Sequence, residues 1–116
     1  MNRLALAAAL TGFLGVALGA FGAHGLHLGA DALEWWHTAT LYALVHAGAS
    51  LAIALSGQTG RMRLGGWAFV VGTIIFSGCL YAMAIGAPRW LGAVVPVGGV
   101  SFLAGWVLVA VGATRR

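Results

Sequence analysis

Four histidines, two carboxylates and one thiol are the metal-ligating side chains of this 116-residue chain, and their spacing sorts most of them into two groups. In the first, Glu34, Thr38, Tyr42, His46 and Ser50 follow one another at steps of four. On an α-helix that step brings each residue against the next, so the five form one row drifting slowly round the axis. The row runs into an apolar stretch, where polar groups have to face protein or water. A histidine in the middle of such a stretch is a functional candidate by default. Two readings of His46 stay open. It is either a neutral imidazole hydrogen-bonded to a neighbouring helix, with Thr73, Ser77 and Tyr81 as the expected partners because they form their own step-of-four row, or it handles a proton or ligand together with Tyr42 and Thr38.

The second group is His24, His27, Asp31, Glu34 and His37, at spacings of three, four, three and three. If residues 24–37 were helical, most of these would share a face, and imidazole with carboxylate is a donor set for a divalent metal. Gly25 and Gly29 disfavour helix there. The commoner outcome is a polar interfacial face beneath Leu26, Leu28, Leu33 and Trp36. Bis-histidine haem ligation needs two histidines on facing helices at one depth. His24, at the end of one apolar run, and His46, midway along the next, differ in depth by about 15 Å on straight-helix geometry and do not suit one iron. His24 and His37 match better, but close to water. No glycine-rich phosphate loop, nucleophile elbow, paired-histidine zinc motif or Cys-x-x-Cys is present. The expectation is therefore no catalytic residue and no resident cofactor, with haem or a divalent metal as the minority reading.

The elements that must position these residues follow from composition. The chain is 61% hydrophobic and 7% charged, with 19 glycines, and its mean hydropathy is +0.98. That balance is far outside the soluble range and implies lipid as the solvent. The formal charge is +4, carried by six arginines and no lysine, but the arginines sit between apolar runs and read as topology signals rather than a nucleic-acid surface. Cys79 has no partner for an intrachain disulfide.

Residues 4–23 form an uncharged run of twenty, about 30 Å as helix and so the thickness of a hydrocarbon core. Further runs cover 36–56, 64–87 and 90–114, which predicts an all-α, four-span bundle as one transmembrane domain with short loops. The first run has Arg3 ahead of it and small residues near its end, as a secretion signal does, but it is long for one and is expected to stay attached. With four spans, Arg3, Arg61, Arg63, Arg115 and Arg116 share a side, opposite Arg89, Asp31 and Glu34. The positive-inside rule then places both termini on the cytoplasmic side. Trp35, Trp36 and Trp90 at the opposite side are expected interfacial anchors.

On the first span Ala5, Ala8, Gly12, Gly15, Gly19 and Gly22 recur at steps of three and four, a stripe that lets another helix approach closely. Gly98, Ser101, Gly105 and Gly112 form a weaker row on the fourth. Pro96 within that span predicts a kink or a locally opened hydrogen-bond ladder. No internal repeat is established, since Gly66-Trp67 and Gly105-Trp106 recur but the residues around them do not align.

The run Gly19-Ala20-Phe21-Gly22-Ala23-His24-Gly25-Leu26, then Trp36, Thr38-Ala39, Tyr42 and His46-Ala47, then Phe76-Ser77-Gly78-Cys79-Leu80-Tyr81, and finally Pro96-Val97-Gly98-Gly99 with Gly105-Trp106, resembles the YgdD/YwdK-type family. These are small four-span bacterial inner-membrane proteins of a domain of unknown function, with eukaryotic relatives. The resemblance covers essentially the whole chain and implies the same architecture, but no activity, substrate or cofactor. Cys79 departs from it, standing where a serine is expected, and the segment between His24 and Trp35 is short and histidine-rich.

Three functions remain in play. The first is a non-catalytic accessory or structural component of the bilayer, packing through its glycine faces as a homo-oligomer or within a larger membrane complex. The second is a small proton-coupled transporter or channel-like bundle using His46 and Tyr42. The third is a haem or metal protein using His24, His27, His37 or His46.

Overall fold

A computed structural model of the protein describes residues 1–114. Four helices follow one another, α1 (Arg3–His24), α2 (Ala30–Leu55), α3 (Gly60–Ala84) and α4 (Val95–Thr114), with a 3-10 turn at Arg89–Ala93 leading into the last. Each is long and apolar enough to cross a membrane. No strand occurs among the described residues. Of the arginines that argue for cytoplasmic termini, Arg115 and Arg116 lie outside the described residues.

The helices outrun the apolar stretches where polar residues suit a helix end. α2 begins at Ala30 rather than Trp36 and carries Asp31 in its first turn, where the partial positive charge of the helix N-terminus favours a carboxylate. α3 begins at Gly60 and takes Arg61 and Arg63 into its first turns. The molecule is 48 Å long, against about 30 Å of hydrocarbon, so these ends stand at headgroup level. The loops are five residues or fewer, and Gly57 and Gly86, with φ of 74° and 112°, supply left-handed turns that a side chain would strain.

The expected kink at Pro96 does not occur inside a helix. The chain leaves α3, makes the 3-10 turn, and starts α4 at Val95, so Pro96 falls in the first turn. There a missing N–H costs nothing and the fixed φ suits the helix.

Each helix packs on the next in sequence, as short connections require. α2 and α3 form the more buried central pair, α1 flanks α2 and touches α3, and α4 lies along α3. α1 and α4 do not run along one another, so the bundle is open on that side. Leu4, Ile53, Phe69, Val70 and Phe102 make the apolar core. Asn2 fastens the N-terminus to it, its side chain accepting from Ala5 N–H at 3.1 Å and donating to the Ala54 carbonyl at 2.9 Å.

Glycine sets the register of both hairpins. Along α1, Gly12 meets Ala47, Gly15 meets Ala43 and Leu44, Gly19 meets Thr40 and Gly22 meets Trp36. A methyl added at Gly15 or at Gly19 would stand 2.9 Å from the Leu44 or Thr40 side chain. Between α3 and α4 the approach is backbone to backbone. A methyl on Gly65 would lie 2.8 Å from the Gly105 carbonyl oxygen, and one on Gly105 3.0 Å from that of Gly65. Gly72 bears on Gly98 in the same way, at 3.0 Å. Gly98, Gly105 and Gly112 are seven apart, as are Gly65 and Gly72, the repeat that keeps one face toward its partner along a left-handed pair. In lipid such close approach drives association where apolar contact alone gains little.

Candidate functional site

The step-of-four row on α2 meets three different surroundings. His46, buried at 4% exposure, bonds through both ring nitrogens. Nδ1 lies 2.8 Å from the Tyr42 carbonyl, one turn back, and Nε2 lies 3.1 Å from the indole Nε1 of Trp106 on α4. A carbonyl only accepts and an indole N–H only donates, so the pair assigns the tautomer: Nδ1–H donates to Tyr42 and the bare Nε2 accepts from Trp106. A doubly protonated ring would face the indole donor to donor. The imidazole stacks on Phe102, with centroids 3.8 Å apart and planes at 13°, and meets the edge of Phe69 at 5.1 Å. Thr73, Ser77 and Tyr81, the expected partners of His46 on α3, do not contact it by hydrogen bond; the acceptor's partner comes from α4 instead.

Those α3 residues have other roles. Ser77 donates to the Ala39 carbonyl at 2.7 Å, and the Tyr81 hydroxyl pairs at 2.7 Å with Thr40, not with the sequence candidate Thr38. Thr73 Oγ1 is buried without a partner among the described residues. Ser50, the foot of the row, donates to the Gly66 carbonyl at 3.1 Å, and Ser101 on α4 donates to Ala68 at 2.8 Å. Trp36 is not an interfacial anchor. It is 2% exposed, lies edge-on to Tyr81 at 4.5 Å, and sends its indole N–H to the Leu18 carbonyl of α1 at 2.7 Å. The glycine at position 22 makes room for it. Trp90 stays 68% exposed, as an anchor requires, and Trp35 carries the Arg89 guanidinium over its ring at 5.2 Å.

The histidine-rich segment does not form the single helical face that a metal cluster needs. α1 ends at His24, residues 25–29 are not helical, and α2 restarts at Ala30, so His24 and His27 are parted from Asp31, Glu34 and His37. Among the described residues no three His, Cys, Asp or Glu side chains gather where they could hold a metal. His24, His27 and His37 are all exposed, with His27 and His37 lining one shallow cleft at the end of the bundle. Along the α1–α2 pair Gly12 meets Ala47, beside His46, whereas His24 ends α1 beyond the level of Gly22 and Trp36.

Two depressions lie at mid-span among the described residues: an apolar one of about 220 Å³ between α1, α2 and α3, lined by Thr11, Gly15, Ala43, Thr73 and Ser77, and a larger one beside α4. A groove of about 410 Å³ runs beside α4 from Pro96 to Trp106, its other wall formed by Tyr42 and His46 and its floor by Phe76 and Phe102. Sequence spacing singled out Tyr42 and His46 but missed Phe76, Phe102 and Trp106, because no periodicity within one helix shows which rings a neighbouring helix contributes.

Four apolar spans, tied together by side-chain hydrogen bonds and close glycine contacts, define a polytopic α-helical membrane protein. The chain belongs to the family described as protein of unknown function (DUF423), whose pattern matches residues 18–99. It is similar to the UPF0382 inner membrane protein YgdD of Escherichia coli K12, with 45% identity over 93% of this chain and 86% of the relative. The UPF0382 membrane protein of Haemophilus influenzae is 42% identical over 98% of this chain and 95% of its own length. YwdK of Bacillus subtilis, another UPF0382 membrane protein, is 38% identical over 99% and 98%. No solved structure matches. The resemblance read from the motifs is thus borne out, as are the all-α class and the inner-membrane location.

Proposed function

We propose that this inner-membrane protein is a non-catalytic component that works by association, with further copies of itself or within a larger membrane complex. The observation that supports the reading is the use made of the polar groups inside the spans. Ser50, Ser77, Ser101, Trp36, Trp106, Thr40 and Tyr81 each bond across to another helix, so most of the polar side chains inside the spans are engaged in holding the bundle together. Proton transport through His46 draws less support, since both ring nitrogens are occupied and Phe69 and Phe102 wall the ring. Haem or metal binding lacks a gathered ligand set among the described residues.

The surface that would associate is not the one the glycine stripes suggested. Gly12, Gly15, Gly19 and Gly22 face α2, and Gly98 and Gly105 face α3. What α1 and α4 present outward are large apolar side chains such as Leu10, Phe13, Val100 and Leu103. Extraction of the membrane in polymer-bounded native discs, followed by native mass measurement, tests the proposal. A particle holding several copies of the 11.8 kDa chain, or other proteins in fixed ratio, is the expected result. A homogeneous population of single chains would overturn it.

A further inference from the structure

The groove beside α4 contains a polar group that the bundle leaves unused. Tyr42 sits in the middle third of α2, about 18 Å from its start at Ala30 and about 20 Å from its end at Leu55. Its backbone carbonyl receives the His46 Nδ1 proton, while its hydroxyl has no hydrogen-bond partner among the described residues. The residue is 39% exposed, and its exposure opens onto the groove. A phenol O–H facing an apolar medium ordinarily finds a partner, and hydrocarbon offers none.

Depth restricts what that partner is. Phospholipid ester oxygens stay at the interface and acyl chains carry no acceptor, so an acceptor that reaches this level from the lipid has to arrive on a molecule dissolved in the hydrocarbon itself. The walls restrict it further. Tyr42 and Phe102 lie nearly parallel, at 22° with centroids 5.8 Å apart, and Phe76 and Trp106 extend the aromatic lining. Such walls favour a flat ring by stacking and edge contact. The groove runs ten residues of α4, about 15 Å, and its volume of about 410 Å³ falls in the range of small-molecule sites. Gly99 keeps it open, for nothing lies within 4 Å of where its side chain would begin.

We propose that this groove is a binding site for a membrane-dissolved ring compound bearing a hydrogen-bond-accepting oxygen, the chemistry of a quinone headgroup, with the Tyr42 hydroxyl as donor and the lipid side as the way in. Binding requires no electron transfer and stands whether or not the protein associates with others.

Decylubiquinone is the probe, titrated into the full chain in lipid nanodiscs with uptake by empty discs subtracted. Tyr42→Phe removes the hydroxyl alone, and Gly99→Leu fills the groove from a position with room for the side chain. The expected result is saturable binding to the wild type, weakened about tenfold by Tyr42→Phe, the loss of one hydrogen bond to a ligand, and abolished by Gly99→Leu, with all three proteins unfolding at similar temperatures. Should Gly99→Leu fail to fold, the Tyr42→Phe comparison decides alone. Uptake that never saturates, or saturable binding indifferent to both substitutions, overturns the assignment. So does a groove filled by a second copy, seen as a dimer that Gly99→Leu dissociates while quinone has no effect.

Discussion

His46 is an ionisable side chain in the middle of a span, the kind of residue that ordinarily signals transport or catalysis in a membrane. Its hydrogen bonds give it a different use: the one to the Tyr42 carbonyl fixes the ring on α2, and the one from Trp106 joins α2 to α4 beside the stack on Phe102. Replacing Trp106 by Phe leaves a ring of similar shape but strands the bare Nε2, and should cost about 1–3 kcal/mol of stability. A double-mutant cycle with His46→Ala, read by thermal unfolding in mild detergent, should return a coupling of about 0.6 kcal/mol, with about 1.7 kcal/mol as a ceiling for such bonds between membrane helices. Zero coupling would mean that the contact does not stabilise the bundle. The sequence located His46 and its depth from hydropathy alone. It pointed to the wrong helix for the partner, because a step-of-four row shows that Thr73, Ser77 and Tyr81 share a face but not which helix that face meets.

At the scale of the helices, glycines fall into two kinds that spacing distinguishes poorly. Gly105 and Gly99 lie on the same helix, yet a methyl at Gly105 would meet the Phe69 ring at 2.6 Å and the Gly65 carbonyl at 3.0 Å, while one at Gly99 meets nothing. Gly105→Ala should therefore destabilise by about 1–3 kcal/mol, as overpacking does. Gly99→Ala should be neutral or gain up to about 1 kcal/mol from helix propensity. Unfolding midpoints of the two variants in one detergent check this, and equal midpoints would refute the packing register. The α1 stripe was legible because its small residues stand out against leucine and valine. Gly65 and Gly72 were not, since a seven-residue spacing on one helix gains meaning only beside Gly98 and Gly105 on the other. Trp36 was misread for a related reason. Tryptophan at the edge of an apolar run usually marks the interface, but here α2 extends a further turn and a half outward and Gly22 opens a slot that draws the indole inside.

For the molecule as a whole, hydropathy supplied four spans, and only the 3-10 entry to α4 altered the count of regular elements. The arginine distribution adds an orientation that the fold does not determine. It predicts that a cysteine placed at Ser56, in a Cys79→Ser background, is shielded from a membrane-impermeant maleimide in intact cells, whereas one at Ala87 is labelled. Labelling at Ser56 alone would invert the topology. With the glycine faces turned inward, partners must be met by the large apolar side chains of α1 and α4, a surface as well suited to lipid as to protein.

The polar interior holds the helices together, and His46 is its sharpest instance. Nitrogen-15 spectra of histidine-labelled protein in bilayers at neutral pH, with His46 assigned by its loss in His46→Asn, read the ring directly. The expected spectrum is that of a neutral imidazole with the proton on Nδ1 and an unprotonated Nε2 hydrogen-bonded to the Trp106 indole. An Nε2–H tautomer or an imidazolium would contradict it and return His46 to the candidates for proton chemistry.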